Sequence, residues 1–286
     1  MRVRCSDVDC WVERHGEGPP VLLLHGYPQH GGIWDAQVET LKRTHSVFVP
    51  DLPGWGRSPA PAHLDYGYDS ELARLKALTD ALALERFTLV GHDYGGFLGL
   101  GYAIRWGERV TGLAILNSRA HGVFAPGFYA LQDGLARLTR PALLRHIVAA
   151  LPLRGIFRHS LLRFARAGQM NPGKAADYAA HLAAYAARLQ LAKFWADYDV
   201  RPRAFLVEGV PRLRCPISLI WGRDDPFVPV SIAEDFVRLA PHATLTVIEN
   251  TGHFIVDQRP AEVSDALLAL LRTVDTAPRS AGDLAH

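Results

Sequence analysis

The stretch Val90-Gly91-His92-Asp93-Tyr94-Gly95-Gly96 sets a single aspartate among glycines at the junction of two contrasting patterns. Before it, Phe87-Thr88-Leu89-Val90 is short, aromatic and β-branched, the pattern of a buried parallel strand. After it, the run Phe97 to Ile104 reads as a helix. Gly-x-Asp-x-Gly between strand and helix predicts a tight, strained turn that lifts one side chain above the carboxyl edge of the sheet. A carboxylate in that position attacks carbon and forms an alkyl ester with the protein. It is poorly suited to acyl transfer, because attack on an ester carbonyl would give a mixed anhydride. The competing reading makes Asp93 a helix N-cap beside a glycine-rich turn. What separates the two is the rest of the chain.

On either side of this turn, strand-like and helix-like segments alternate as in a doubly wound sheet. Arg2 to Arg14 reads as an opening hairpin, Val21 to His25 as a buried strand, and Gly32 to Leu41 as a helix. Ser46 to Val49 is the next strand and Ser70 to Leu84 an amphipathic helix, with a further strand at Val110 to Leu116. The alternation then stops. From Arg119 to Arg212 the chain is rich in Ala, Leu and Arg at helical spacing. It resumes with Ile217 to Trp221, a helix at Val230 to Leu239, the strand Ala243 to Ile248 and a last helix at Pro260 to Leu271, followed by a frayed tail beyond Thr273. The expected class is α/β: a mostly parallel doubly wound sheet in two parts, 1–118 and 213–286, with a helical lid over 119–212.

Composition narrows the function classes. A chain of 286 residues, 49% hydrophobic, can bury a substantial core as one large domain or a core with an insertion. No apolar run is long enough to span a bilayer, and Met1-Arg2-Val3-Arg4-Cys5 lacks a signal peptide's apolar stretch. Cys5, Cys10 and Cys215 fit no metal spacing, so a reducing cytoplasm is the expected home. The net charge of +2 and the absence of a Walker loop or Gly-x-Gly-x-x-Gly give no sign of a nucleic-acid or nucleotide partner.

Further candidates stand where core strands end. Trp221-Gly222-Arg223-Asp224-Asp225-Pro226 follows one strand and Asn250-Thr251-Gly252-His253-Phe254 follows the last. Ligands in open α/β sheets bind at that edge. In the chain order Asp93, Asp225, His253, the histidine would activate water while a carboxylate fixes its tautomer. Taken singly, Asp225 is equally a turn residue before proline and His253 a solvated loop residue; all three in order, each after its own strand, are hard to assign to chance.

With these residues on view, the chain resembles the α/β-hydrolase superfamily over nearly its whole length, and within it the epoxide hydrolases and haloalkane dehalogenases. The matching pieces are His25-Gly26-Tyr27-Pro28, Trp34, Asp51-Leu52-Pro53-Gly54-Trp55-Gly56-Arg57-Ser58, Gly91 to Gly96, Gly222-x-x-Asp225-Pro226 and Gly252-His253-Phe254. The resemblance implies Asp93 as nucleophile, Asp225 rather than Asp224 as the acid, His253 as base, and an oxyanion hole from the backbone N–H groups of Tyr27 and Tyr94. It also implies substrate contacts at Trp34 and Tyr94, a structural role for His25, and no cofactor or metal.

Finer residues favour epoxide opening over halide displacement. Dehalogenases often place a tryptophan after the nucleophile, and here position 94 is tyrosine. Epoxide hydrolases look like His-Gly-Phe-Pro and Gly-His-Asp-Trp-Gly-Gly, one aromatic swap away in each motif. The family's lid tyrosines, which protonate the emerging alkoxide, match Tyr198, 27 residues before Asp225, and Tyr129, although ordinary helical packing would account for both. The lid also carries seven arginines (137, 140, 145, 154, 158, 163, 166) between Leu131 and Met170, against the single acid Asp133. They read as the solvated face of amphipathic helices, with an anionic substrate, a membrane or a protein surface as alternatives. The expected partners are a small apolar substrate and water, with a homodimer as a further candidate. A haloalkane dehalogenase with the same triad is the first alternative; a binding protein, cyclase or isomerase on the same fold is the second.

Overall fold

Continuous apolar runs dictate the central strands. Residues buried on both faces of a parallel sheet leave no room for polar alternation, and Val21 to Leu24 and Phe87 to His92 are buried throughout. The computed structural model describes residues 1–118, 126–199, 201 and 203–276. Among these, eight strands form one sheet: β1 (Arg2–Cys5), β2 (Val8–His15), β3 (Pro20–Leu24), β4 (Ser46–Asp51), β5 (Phe87–His92), β6 (Val110–Leu116), β7 (Ile217–Gly222) and β8 (Thr244–Ile248). Their order is β1-β2-β4-β3-β5-β6-β7-β8. β1, β2 and β4 pair antiparallel, and every other pairing is parallel.

The helices are α1 (Asp35–Leu41), α2 (Tyr68–Ala81), α3 (Tyr94–Arg105), α4 (Pro126–Thr139), α5 (Ala142–Ala150), α6 (Leu153–Arg166), α7 (Pro172–Tyr178), α8 (Tyr185–Asp197), α9 (Ala204–Gly209), α10 (Ser231–Leu239), α11 (Ile255–Gln258) and α12 (Pro260–Thr276). Side chains that alternate along a strand split the core in two. Leu22, Leu24, Leu89 and Leu113 join Leu72 and Leu75 of α2 and Phe97 of α3 on one face. Val21, Leu23, Val90 and Ala114 join Val38 and Leu41 of α1 and Leu267 and Leu271 of α12 on the other. The fold is therefore the α/β class expected from the alternation, and α4 to α9 all lie between β6 and β7. The segment 119–125, where the helical insertion is expected to begin, and the tail after Thr276 lie outside the described residues.

Two expectations are adjusted. The helix placed at Gly32 opens as a 3-10 turn over Gly31–Trp34, where His30 Nδ1 accepts from Gly32 N at 3.1 Å, and becomes α-helical only at Asp35. The tail does not fray at Thr273: α12 continues to Thr276. Val274 packs onto the second core cluster, so close to Gly112 that a Cβ there would lie 2.6 Å from it.

This topology fixes the place of the site. After β3 the chain turns to β4 on one side; after β5 it turns to β6 on the other. α1 and α3 accordingly cover opposite faces, leaving a crevice at the carboxyl ends of β3 and β5. The turn after β5 fits only because its glycines lack side chains. A Cβ on Gly91 would sit 2.4 Å from the Gly95 carbonyl carbon, and one on Gly95 would sit 2.4 Å from Leu24 O. Backbone cannot yield there as a flexible side chain could. Gly95→Ala is expected to cost about 1–3 kcal/mol, the range for overpacking. Urea unfolding should show a lower midpoint at unchanged slope.

Candidate active site

Asp93 follows β5 at φ +47° and ψ −113°, outside the regions a side-chain-bearing residue normally adopts. Such strain persists only where surrounding contacts over-determine it. Here they do: Asp93 N donates to Leu116 O at 3.0 Å, and Ser118 Oγ donates to Asp93 O at 2.7 Å. The side chain projects toward β3, where Tyr27 N donates to Asp93 Oδ2 at 2.9 Å. One carboxylate oxygen is thus held by a backbone N–H of the sort expected to form an oxyanion hole. The other, Oδ1, lies 3.9 Å from His253 Nε2, beyond hydrogen-bond length.

His253 follows β8 and is buried against Asp225, which follows β7; Nδ1 donates to Asp225 Oδ2 at 2.7 Å. That bond leaves Nε2 as the nitrogen facing Asp93. Asp225 also accepts from Asn117 Nδ2 at 2.6 Å, Phe227 N at 2.7 Å and Val228 N at 2.9 Å. Burial alone would raise its pKa, but the charge and hydrogen bond of His253 and the other donors outweigh it and hold the carboxyl below its ordinary value. For His253 burial pulls downward, yet the Asp225 charge and hydrogen bond, with Asp93 behind them, lift it to about 8.

The neighbouring histidines have other work. His25 Nδ1 donates to Gly26 O at 2.9 Å while Nε2 accepts from Leu52 N at 2.8 Å, tying the loop after β3 to the one after β4. Burial lowers it to about 4, so the ring is neutral. His92 is likewise buried and lowered to about 4 by burial and then by His253. Its Nε2 donates to His253 O at 2.9 Å, seating the histidine loop from beneath.

An aromatic group gathers around Tyr94, the neighbour of Asp93, and Tyr27, whose N–H holds its carboxylate. Phe194 of α8 stacks on Tyr27 with ring centroids 5.5 Å apart and on Tyr198 at 4.7 Å. Tyr198 meets Tyr94 edge-on at 5.2 Å, and Phe227 meets His253 edge-on at 5.2 Å. Trp195 Nε1 donates to Tyr27 OH at 3.1 Å. The fold therefore brings Asp93, Asp225, His253, Tyr27, Tyr94 and Tyr198 together. Tyr129 is half-buried on α4 against the first core cluster. Trp34 is enclosed with Val21, Leu23 and Val38 in the second cluster, completely buried, which differs from the substrate contact expected of it. Tyr94 also differs from expectation in its polar end. Its hydroxyl donates to Glu71 Oε2 at 2.8 Å, away from any substrate role for that atom.

Three participants escaped sequence reasoning. Asn117 stands immediately after β6 at φ +40° and ties that strand end to the end of β7: Nδ2 donates to Asp225 Oδ2 and Oδ1 accepts from Gly222 N at 3.0 Å. Its position at a strand terminus was the available signal. Ser118, next to it, holds Asp93 through the backbone. Glu71 is buried on α2, pushed up to about 7 by burial despite Arg74 at 2.6 Å. Nothing in the amphipathic pattern of α2 marked it. Among the described residues no cluster of three or more His, Cys, Asp or Glu side chains could hold a metal ion.

Residues 19–260 match the family model described as alpha/beta hydrolase fold, and the chain belongs to that family. Among curated relatives it is 30% identical over 266 residues to a cis-3-alkyl-4-alkyloxetan-2-one decarboxylase of Shewanella oneidensis, covering 87% of this chain and 80% of that one. It is 31% identical over 264 residues to the magnesium-chelatase 30 kDa subunit of Rhodobacter capsulatus, covering 89% and 88%. It is 25% identical over 270 residues to epoxide hydrolase 4 of Mus musculus, covering 89% and 73%.

The His253 value gives a pH expectation. A folded pKa of about 8, above the ordinary 6.5, means the His253–Asp225 pair adds stability below pH 6.5 that is lost as pH rises through about 8. Base catalysis by Nε2 runs the other way, since it requires the neutral ring. Any step that uses this base should quicken as pH rises toward 8. Single-turnover rates across pH 5 to 9 check the sign; a rate that falls over that range contradicts it.

Proposed function

We propose that this α/β hydrolase opens epoxides to diols through an alkyl ester on Asp93. The observation that carries the reading is the placement of a carboxylate, in place of a hydroxyl or thiol, at the strained turn, with Tyr27 N on one oxygen and His253 facing the other. Asp93 Oδ1 would attack a ring carbon, the C–O bond would break, and a lid tyrosine would give its proton to the departing alkoxide. Tyr198, packed against Tyr94 beside Asp93, would be the donor, with Tyr129 as the second candidate. His253 Nε2 would then take a proton from water. The resulting hydroxide adds to Cγ of the ester, collapse returns the carboxylate and releases the diol, and the proton held on His253 goes back to the tyrosinate to close the cycle.

Tyr27 N would meet the growing negative charge on Oδ2 in the second step, where fixed donors are worth most. The likeness to epoxide hydrolase 4 supports the substrate class. Halide displacement is the less favoured use of the same triad, because the Tyr94 hydroxyl is engaged by Glu71 and offers no indole N–H. A second reading is favoured by the S. oneidensis relative, whose name describes a four-membered lactone. Such a ring is strained like an epoxide and opens at carbon in the same way. The magnesium-chelatase subunit relative keeps a role without turnover in view, although such a role has no use for the full set Asp93, Asp225 and His253.

One set of measurements separates these readings. His253→Gln should accumulate an adduct on Asp93, since alkylation needs no base but its hydrolysis does, and Asp93→Ala should form none. Intact-mass measurement and peptide mapping after styrene oxide, a 3,4-dialkyloxetan-2-one and a 1-bromoalkane show which substrate leaves the mass. Tyr198→Phe should slow alkylation by epoxide by about 10²-fold, the scale of a lost general acid, while barely changing any halide release. Adduct from the lactone or bromoalkane alone would refute epoxide opening. Diol formation by Asp93→Ala would refute the covalent route itself.

A further inference from the structure

The lid carries a charge and apolar pattern that the proposed chemistry does not use. From Gly134 to Ala176 stand eight of the chain's 31 Lys and Arg residues and none of its 29 Asp and Glu. A chain with a net charge of only +2 is therefore strongly polarised, with its positive pole on α5, α6 and the segments beside them. Arg137, Arg140, Arg154, Arg158, Arg163 and Arg166 are all exposed. Among the described residues, no salt bridge pairs any of the last four with a carboxylate.

The same segment also exposes apolar side chains. α5 rests on α8 through Val148 and Ala149, both buried. Its outer side shows Leu143, Leu144 and Ile147, followed after the helix by Leu151, at the i, i+1, i+4, i+8 spacing of a single helical face. Leu143 is 73% exposed and Ile147 54%. Leu138 at the end of α4 and Ile156 on α6 are also exposed, at 46% and 53%. Of the exposed large apolar side chains among the described residues, most fall on this lid surface. A single exposed leucine is ordinary, but several on one helix face, within a segment whose charges are all positive, fit a helix that lies in a bilayer interface.

We propose that the outer face of α5, with the adjoining end of α4 and start of α6, docks on an anionic lipid surface. The leucines and isoleucines enter the headgroup boundary and the arginines pair with lipid phosphates. Charge complementarity selects this occupant over a second copy of the chain. A two-fold dimer sets the same patch against itself, and here that would oppose two sets of unneutralised arginines. An anionic membrane neutralises them. The association is peripheral, since no helix among the described residues is long and apolar enough to cross a membrane. It stands independently of whether the site opens epoxides.

Flotation of the full chain with vesicles tests it. Vesicles of equal parts phosphatidylcholine and phosphatidylglycerol should bind at least about tenfold more protein than phosphatidylcholine alone, with the excess removed by high salt. The double variants Leu143→Ser/Ile147→Ser and Arg154→Glu/Arg158→Glu should each lose about tenfold of that binding at unchanged circular dichroism. The two pairs are on separate helices, so misfolding of one leaves the other informative. Equal binding to both vesicles, or to neither, overturns the proposal. So does a concentration-dependent dimer in sedimentation that Leu143→Ser/Ile147→Ser abolishes, which would assign the face to a second copy.

Discussion

The approach of the loop after β3 to the turn after β5 is the contact on which the site depends. It requires bare backbone at Gly91 and Gly95, and also at Gly26, where a Cβ would stand 2.7 Å from Asp93 Cβ. Only with those side chains missing can Tyr27 N reach Asp93 Oδ2. The unfavourable φ of Asp93 costs of order 1–3 kcal/mol. The sheet on either side can sustain it, because both core clusters meet at these strands. The strain has a use. It lifts a carboxylate clear of its own helix and aims it across the crevice.

Around that turn the protein keeps a chain of buried polar groups, each satisfied by a named partner. Gly222 N, Asn117, Asp225 and His253 form one line, running from the end of β7 to the face of Asp93. Removing one member of a buried charged pair costs about 3–5 kcal/mol, because its partner is left uncompensated. The four hydrogen bonds on Asp225 explain why it remains a carboxylate at depth, and a carboxylate there keeps the His253 ring oriented. A second line, Asp7, Arg74, Glu71 and Tyr94, anchors the aromatic ring next to Asp93 from the opposite side. Burial pushes the carboxyl of Glu71 upward, while Arg74 and the Tyr94 hydroxyl favour its charged form.

The helical block between β6 and β7 serves two surfaces. Its inner side packs Phe194 on Tyr27 and Tyr198, and Trp195 Nε1 donates to Tyr27 OH, next to the carboxylate that Tyr27 N holds. Its outer side bears the exposed aliphatic and cationic groups. α8 faces inward because it is packed from outside by α4 and α5, which are left to meet the solvent or whatever replaces it.

The α/β class and the placement of the strands were legible in the amino-acid order, because two-sided burial in a parallel sheet forces continuous apolar runs that local reading detects. The same order also pointed to Asp93, Asp225 and His253, since each follows its own strand and strand ends converge whatever the details of the loops. Tertiary structure alone decided the rest. Asn117 and Glu71 look like ordinary strand-end and helix residues until the fold sets them 2.6 Å from Asp225 and 2.8 Å from Tyr94 OH, across 108 and 23 positions of chain. Trp34 matches a family motif, yet its ring is enclosed by Val21 and Leu23 of β3 as well as by Val38 of α1, a packing the motif does not record. Tyr198 and Tyr129 have the same sequence credentials, and what distinguishes them is that α8 brings Tyr198 against Tyr94 and Phe194. Periodicity records which side of an element is buried. It does not record what that side meets, and the chemistry of this site is made of such meetings.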